Sequence, residues 1–445
     1  MGFFIMDFQY KNVLIWGYGV SGRAVEKVLI DMGVDYTILD EGEKINGGGF
    51  VDKISKKTII NYDLIVLSPG VDYTRKEIAY AKSCGINVIS EIEFGYMFVD
   101  ADTKIVAVSG TNGKTTTVDL VFNMITNAGY SVCEVGNIGK PFSEIYGKHY
   151  DYIVVELSSF QLDMCKNFRA DIAILLNIAP DHIDRHKTFA NYINAKLKIF
   201  NNQQKKDYAI INYDDSLLRG LKNINSKKLT FSTLNNKAKY SCINDKIYKG
   251  SKEVLDISDA KIENIFLGDI LAMMAVADIL GVDIKSVEKT IKEYELLAHR
   301  CEFVAKIDGV SYYNDSKATN IHAVENCLKN LKFDNVLLLL GGRNKSLDFK
   351  DFIVNMNPKV KKIIAFGECG KKIYALRKYN KDIEFVCQKN LHKTMSNLHS
   401  YLDNISAVVL SPACSSFDEF TSYMDRGDFF KKSILEMKVN DDKEG

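Results

Sequence analysis

Lys104-Ile105-Val106-Ala107-Val108, followed by Ser109-Gly110-Thr111-Asn112-Gly113-Lys114-Thr115-Thr116, decides the fold class of this chain. The first five residues are a short apolar run of the kind that fills a buried parallel strand. The next eight open a helix through a glycine loop. Glycines let backbone N–H groups turn toward phosphate oxygens, and the helix N-terminus adds its dipole. In such a loop Lys114 reaches the outer phosphates of a nucleoside triphosphate, and the Thr115 hydroxyl ligates Mg²⁺. The loop is a variant, because Val108 stands where the usual motif has its first glycine. A plain strand–helix turn would not need Gly-Lys-Thr-Thr.

Strand–turn–helix units continue in both directions from this loop. Upstream, the apolar run Asn12 to Trp16 leads into Gly17-x-Gly19-x-x-Gly22 and a helical stretch from Arg23 to Met32. Tyr36 to Leu39 ends at Asp40, and Leu64 to Leu67 breaks at Ser68-Pro69-Gly70. Residues 1–99 therefore read as a Rossmann-like domain. Its glycine turn and Asp40 would ordinarily suggest NAD, with Asp40 on a ribose. A complete triphosphate loop lies elsewhere, however, and such a turn holds the pyrophosphate of a nucleotide-linked substrate equally well.

Downstream, strands are expected at Tyr152 to Val155 and Ile172 to Leu176, and an apolar helix from Ile270 to Leu280. The Lys-, Asn- and Asp-rich stretch around 205–260 reads as a small sheet or excursion. Residues 100–297 form the expected central ATP-binding domain. A third domain, 298–445, shows three strand-like runs, Val336 to Leu340, Ile363 to Phe366 and Ala407 to Leu410, each ending in a small-residue turn. The fold class is α/β, with three domains built on mainly parallel sheets.

Several side chains stand where such sheets bind ligands, at the carboxyl ends of strands. Glu156 closes the strand from Tyr152 and is placed to hold a metal ion in the phosphate-loop domain. His182 follows a strand end and a proline turn, which favours a ligand or supporting role. The third domain offers the loops Asn314 to Asn320, Gly341 to Lys345 and Ser411 to Asp418. Each mixes hydroxyls with a cation or backbone donors, and together they suit a small carboxylated substrate.

Composition bounds the remaining possibilities. The 445 residues carry 58 Lys+Arg against 57 Asp+Glu, so no global field draws the chain to nucleic acid or an anionic membrane. No run approaches the ~18 apolar residues of a spanning helix. The apolar opening Met1 to Met6 lacks a basic leader and meets Asp7, a poor signal peptide, so a cytoplasmic location is expected. Nine scattered cysteines give no thiolate knuckle and read as buried free thiols in a reducing compartment.

On these motifs the chain resembles the Mur ligase family over essentially its whole length. The loop Gly110 to Thr115, Glu156 and His182 match the family generally, and the loops 314–320 and 411–418 resemble its D-glutamate-adding branch. The resemblance implies ATP-dependent ligation of D-glutamate to UDP-N-acetylmuramoyl-L-alanine through an acyl phosphate, with ATP and Mg²⁺ and as a monomer. It implies catalytic roles for Lys114, His182, Lys196 and Lys317. ATP would lie on Gly110, Thr111, Asn112, Gly113, Lys114, Thr115 and Thr116, with Arg300 and Asp315 as further nucleotide contacts. Metal would be held by Thr115, Glu156, His182 and Lys196, the last as a carbamylated lysine; a plain surface lysine is the alternative.

The UDP-linked substrate is matched by Val20, Ser21, Asp40, Ser68, Asn137, Ser158 and Gln161. D-Glutamate is matched by Thr319, Lys345, Ser416, Phe417 and Tyr423. The chain departs from the pattern at Phe266 and Asp269, where asparagines usually face the adenine, and at Gly42, where some relatives carry an arginine. Another ligase of the superfamily, such as a folylpolyglutamate synthase, would share Lys114, Glu156 and His182 but not the third-domain loops. A non-catalytic nucleotide-binding module would not need the metal candidates. A nicotinamide dehydrogenase would bind NAD.

Overall fold

Short apolar runs buried on both faces build three sheets. The structure, a computed structural model, describes residues 8–42, 49–137, 139–260, 267–295, 297–343 and 347–444. The first sheet runs Phe50–Val51, Asp35–Leu39, Asn12–Trp16, Leu64–Leu67, Asn87–Ser90, with every pairing parallel. Val13 and Ile15 enter one core and Leu14 and Trp16 the other, which is why this strand shows no polar alternation. Strand order reverses at Asn12–Trp16, so a crevice opens at its carboxyl end.

The second sheet places Lys104–Ser109 between Ile172–Leu175 and Tyr152–Glu156, with Val132–Gly136 at one edge. The other side corrects the reading of 205–260 as a small sheet or excursion. Tyr208–Asn212, Lys227–Ser232 and Tyr240–Ile243 continue the parallel sheet, and Lys246–Lys249 and Lys252–Asp256 add antiparallel strands. The inward residues Ile210, Phe231 and Tyr240 are buried, and the apolar helix Leu267–Leu280 packs on these strands. The lysines that made the stretch look like surface occupy outward positions and turns.

The third sheet runs Glu302–Ile307, Val310–Asn314, Ala407–Ala413, Val336–Gly341, Val360–Phe366, Glu384–Cys387. Leu338 and Leu340 face one core and Leu337 and Leu339 the other. Three of these strands were not anticipated. Two of them form a hairpin on Asp308-Gly309, both at positive φ (47° and 83°), the two-residue turn for which Asp-Gly is a strong signal.

By packing, the chain forms two compact units. One holds the first two sheets, through Ile178 and again from Ile193 to Glu293; the other holds the third sheet from Tyr294 onward together with residues 179–192. Among the described residues no helix is long and apolar enough to cross a membrane.

Within the first unit, two buried glutamates on the helix Glu91–Tyr96 tie its two sheets together. Glu93 accepts the backbone N–H groups of Lys166, Asn167 and Phe168 at 3.0, 2.5 and 3.0 Å. Glu91 Oε1 accepts both the N–H and the hydroxyl of Ser143, at 2.6 and 2.7 Å, while its Oε2 is buried without a hydrogen-bond partner. Burial pushes the Glu91 carboxyl from an ordinary 4.5 up to about 7, against the opposing Ser143 bonds. The folded chain therefore holds this proton more tightly than the unfolded chain. That stability is fully present below the ordinary carboxylate pKa and is lost as pH rises through about 7. Between pH ~5 and ~8 the loss amounts to at most about 3 kcal/mol. Glu91→Gln keeps the acceptor for Ser143 and should flatten this fall, measured as urea midpoints over a pH series. Parallel curves for the two proteins would contradict the assignment.

Candidate active site

The phosphate loop takes its shape from positive-φ glycines and from neighbours that leave room for nothing larger. Gly113 has φ +88°, and a Cβ there would lie 2.7 Å from Asp269 Oδ1. Asp269 also accepts the Thr117 hydroxyl at 2.5 Å, so this departure from the family pattern braces the first turn of the helix Lys114–Asn127. Phe266, the other departure, lies outside the described residues. Asn177 holds the loop from the adjacent strand end: its Oδ1 accepts Asn112 N–H at 2.9 Å, and its Nδ2 donates to Asn112 O at 3.0 Å. Thr111 N–H donates to Asn177 O at 3.0 Å.

Under this loop the buried Thr115 hydroxyl donates to Glu156 Oε2 at 2.8 Å. Glu156 Oε1 accepts Asn137 Nδ2 at 2.7 Å, and Asn137 N–H donates to Glu156 O at 2.9 Å. Gly136 makes this approach possible, since a Cβ at its φ of +114° would lie 2.3 Å from Glu156 O. Thr115, Asn137 and Glu156 thus come together.

Two lysines meet at one carbonyl. Lys114 Nζ donates to Gly110 O and Thr111 O, both at 2.9 Å, and Lys196 Nζ donates to the same Gly110 O at 2.6 Å. Lys196, on the helix Phe189–Leu197, is only 2% exposed, which excludes the surface-lysine alternative.

The first sheet forms a pocket of about 520 Å³ lined by residues that include Val20, Ser21, Asp40 and Ser68. Val20 and Ser21 open the helix Val20–Met32, and Ser68 donates to Gly17 O at 2.7 Å. Asp40 is engaged by the backbone: Tyr18 N–H reaches Oδ2 at 2.6 Å, and Gly42 N–H reaches Oδ1 at 2.8 Å. Its first role is to fasten the glycine turn to the end of the second strand. Ser158 and Gln161 form a capping box, with Gln161 Oε1 accepting Ser158 N–H at 2.9 Å.

The second unit carries the remaining candidates. His182 sits at φ +52°, just before the short helix Ile183–His186, with Nε2 3.7 Å from Asp181 Oδ2. Asp181 also accepts Asn320 Nδ2 at 3.2 Å. Asp315 is buried; it accepts Cys301 N–H at 3.1 Å and the Ser411 hydroxyl at 2.6 Å. Burial raises its carboxyl to about 7, although Ser411, Cys301 and the nearby Arg300 lower it. Lys317 Nζ stands 3.9 Å from the centre of the Tyr423 ring. Thr319 is half-buried, Ser416 is buried and Phe417 is 61% exposed. Lys345 lies outside the described residues.

Sequence reasoning missed Arg426, which organises these loops. Its guanidinium is 1% exposed, donates to Ser316 Oγ at 2.9 Å and Ser316 O at 2.8 Å, and reaches Cys414 O at 3.1 Å. One residue thus links the 314–320 loop to the 411–418 loop. The available signal was a cation in register with buried Phe430 and Ile434 on the helix Tyr423–Glu444. Asn314 and His299 add a second tie, with Asn314 Nδ2 2.9 Å from His299 Nδ1. Among the described residues no cysteines are joined in a disulfide, yet Cys301 and Cys327 face each other at 3.0 Å and Cys369 and Cys414 at 3.1 Å, pairings invisible in their spacing.

Comparison with known proteins bears on this arrangement. Residues 108–273 match the Mur ligase middle domain, and 299–414 match the Mur ligase, glutamate ligase domain. The chain is 34% identical over 452 residues to the UDP-N-acetylmuramoylalanine–D-glutamate ligase of Caldanaerobacter subterraneus subsp. tengcongensis, covering 97% of this chain and all of that one. The protein of the same name from Thermoanaerobacter sp. strain X514 is 36% identical over 457 residues, with the same coverage. Among solved structures, the UDP-N-acetylmuramate-alanine ligase of Thermotoga maritima aligns with a TM-score of 0.60 at 18% identity, over 96% of this chain and 100% of that one. A pseudomurein peptide ligase type C from Methanothermus fervidus aligns at 0.61 and 16% identity, with the same coverage. These structures share the fold. With two domain matches and full-length relatives above 30% identity, the chain belongs to the Mur ligase family.

Proposed function

We propose that this chain joins D-glutamate to UDP-N-acetylmuramoyl-L-alanine at the expense of ATP, a cytoplasmic step in making the peptidoglycan precursor. The observation that carries the reading is the buried Thr115–Glu156 pair beneath a lysine-bearing phosphate loop, in a chain whose full-length relatives bear the D-glutamate ligase name. The chain acts as a monomer of three domains, 1–99, 100–297 and 298–445. The first takes the UDP-linked acid, the second ATP and the third the amino acid.

The donor set fits Mg²⁺. Thr115 Oγ1 and the Glu156 carboxylate are hard oxygens already 2.8 Å apart, and Asn137 orients the carboxylate. Thr115 and Glu156, with His182 and a modified Lys196, would hold the metal, which when bound neutralises phosphate charge.

The lactoyl-L-alanine carboxylate attacks the γ-phosphorus of ATP, and ADP leaves. The D-glutamate amine then attacks the acyl carbon, and the tetrahedral adduct collapses to amide and phosphate. Lys114 neutralises charge on the transferred group. Lys317 faces the reacting carboxyl, and Thr319, Lys345, Ser416, Phe417 and Tyr423 hold D-glutamate. Arg300 and Asp315 serve the nucleotide. Phosphate release from ATP should require both the UDP-linked acid and D-glutamate across a panel of D- and L-amino acids. Equal turnover with L-glutamate, or none with D-glutamate, would overturn the assignment.

Two variants probe the centre. Lys114→Ala should lower kcat by roughly 10²-fold or more, as loss of a preorganised electrostatic group does; steady-state kinetics within a few-fold of wild type would remove Lys114 from the mechanism. An ammonium has three donors and no acceptor, so Lys196 can serve a metal only after its amine adds CO₂ to become an anionic carbamate. Burial beside a second lysine favours the neutral amine which that addition needs. Lys196→Ala should therefore lose most activity and regain part of it with added short carboxylates. Full activity in the variant, or no ¹³C signal from a labelled carbamate in the wild type, would refute the modification.

A further inference from the structure

The pocket of the first sheet contains a recognition device that the catalytic scheme does not use. Trp16 ends the central strand, is 3% exposed and is among the residues that line the pocket. The Arg75 guanidinium lies over that ring, 5.4 Å from its centre. Glu41 grips the same guanidinium at both ends, accepting Nη1 at 3.0 Å and Nη2 at 2.7 Å. The pair is not sealed away: Arg75 is 34% and Glu41 51% exposed at the side chain.

An exposed ion pair of this kind contributes little to stability, a median of about 0–1 kcal/mol. Its geometry is nevertheless specific, a planar fork fixed from below by an aromatic face and from the side by a bidentate carboxylate. Among the described residues that line the pocket, Arg75 is the one cation. The neighbouring acids are differently occupied. Asp40 is engaged by the N–H groups of Tyr18 and Gly42, and Asp72 by the N–H and hydroxyl of Thr74 at 2.9 and 2.7 Å.

We propose that Arg75, oriented by Glu41 and Trp16, reads the uracil base of the nucleotide-linked substrate. The proposal rests on the UDP-linked substrate of the reaction above and names the residues that select its base. The pocket volume is within the usual range for small-molecule sites. The imide edge of uracil offers two carbonyl acceptors flanking an N3–H donor. The guanidinium supplies the donor to a carbonyl, and the adjacent carboxylate accepts the N3–H. Cytosine replaces one carbonyl by an amino group and lacks the N3–H, so it mismatches the pair.

Calorimetric titration of the full-length protein with UDP, CDP and ATP tests this. Wild type should bind UDP about tenfold or more tightly than CDP, the size of one hydrogen bond to a charged group. Arg75→Ala and Arg75→Lys should each weaken UDP by about tenfold or more, since lysine keeps the charge but loses the fork. Glu41→Gln should narrow the preference for UDP over CDP. In the kinetic assay both Arg75 variants should raise the KM for the UDP-linked acid and leave that for ATP in place. ATP affinity in the same titrations verifies that each variant is folded. UDP affinities within about twofold of wild type in both Arg75 variants would overturn this proposal alone. A wild type that binds ATP but not UDP would overturn the substrate assignment as well.

Discussion

Two lysines, Lys114 and Lys196, donate through Nζ to one carbonyl oxygen, that of Gly110. Cationic groups brought to one shared acceptor repel each other. The fold holds them there because each is anchored independently. Lys114 opens a helix whose start is set by Gly113 and braced by Asp269, and Lys196 is buried on a helix of its own. Such a centre would favour an arriving phosphate, which relieves repulsion as well as gaining attraction. It also lowers the cost of converting one lysine to an anion, the chemical change proposed for Lys196.

The second unit solves a different problem, that of holding two loops with little secondary structure of their own. Arg426 does so with a buried guanidinium whose donors go to Ser316 and to the Cys414 carbonyl. Burial lowers the Arg426 pKa to about 10, which leaves it charged at neutral pH. A buried cation whose partners are oxygens on two loops makes each loop's position depend on the other. Asp315, fastened to Cys301 and Ser411, likewise ties the 314–320 loop to the start of the 411–418 loop.

Much of this was legible in the sequence because local rules and tertiary structure agree there. The run from Lys104 to Thr116 is a strand, a glycine loop and a helix by composition alone, and it takes that form. The leucines from 337 to 340 lack polar alternation because both faces of their sheet are covered. The stretch from 227 to 256 misled because its lysines suggested a surface excursion, whereas its few inward residues extend the central sheet. Asp40 drew a ligand role from its place after a strand, but two backbone N–H groups engage it first. Arg426, the Trp16–Arg75–Glu41 clamp and the facing cysteines depend on partners from tens to about a hundred residues away, which no local pattern reveals.

The most direct measurement follows an oxygen atom. UDP-N-acetylmuramoyl-L-alanine labelled with ¹⁸O in its free carboxylate is turned over with ATP and D-glutamate, and the released phosphate is analysed by mass spectrometry. If the carboxylate attacks the γ-phosphorus and the amine then displaces phosphate from carbon, each phosphate carries one labelled oxygen. Phosphate free of label, or labelled only when the water is, would contradict the acyl-phosphate route.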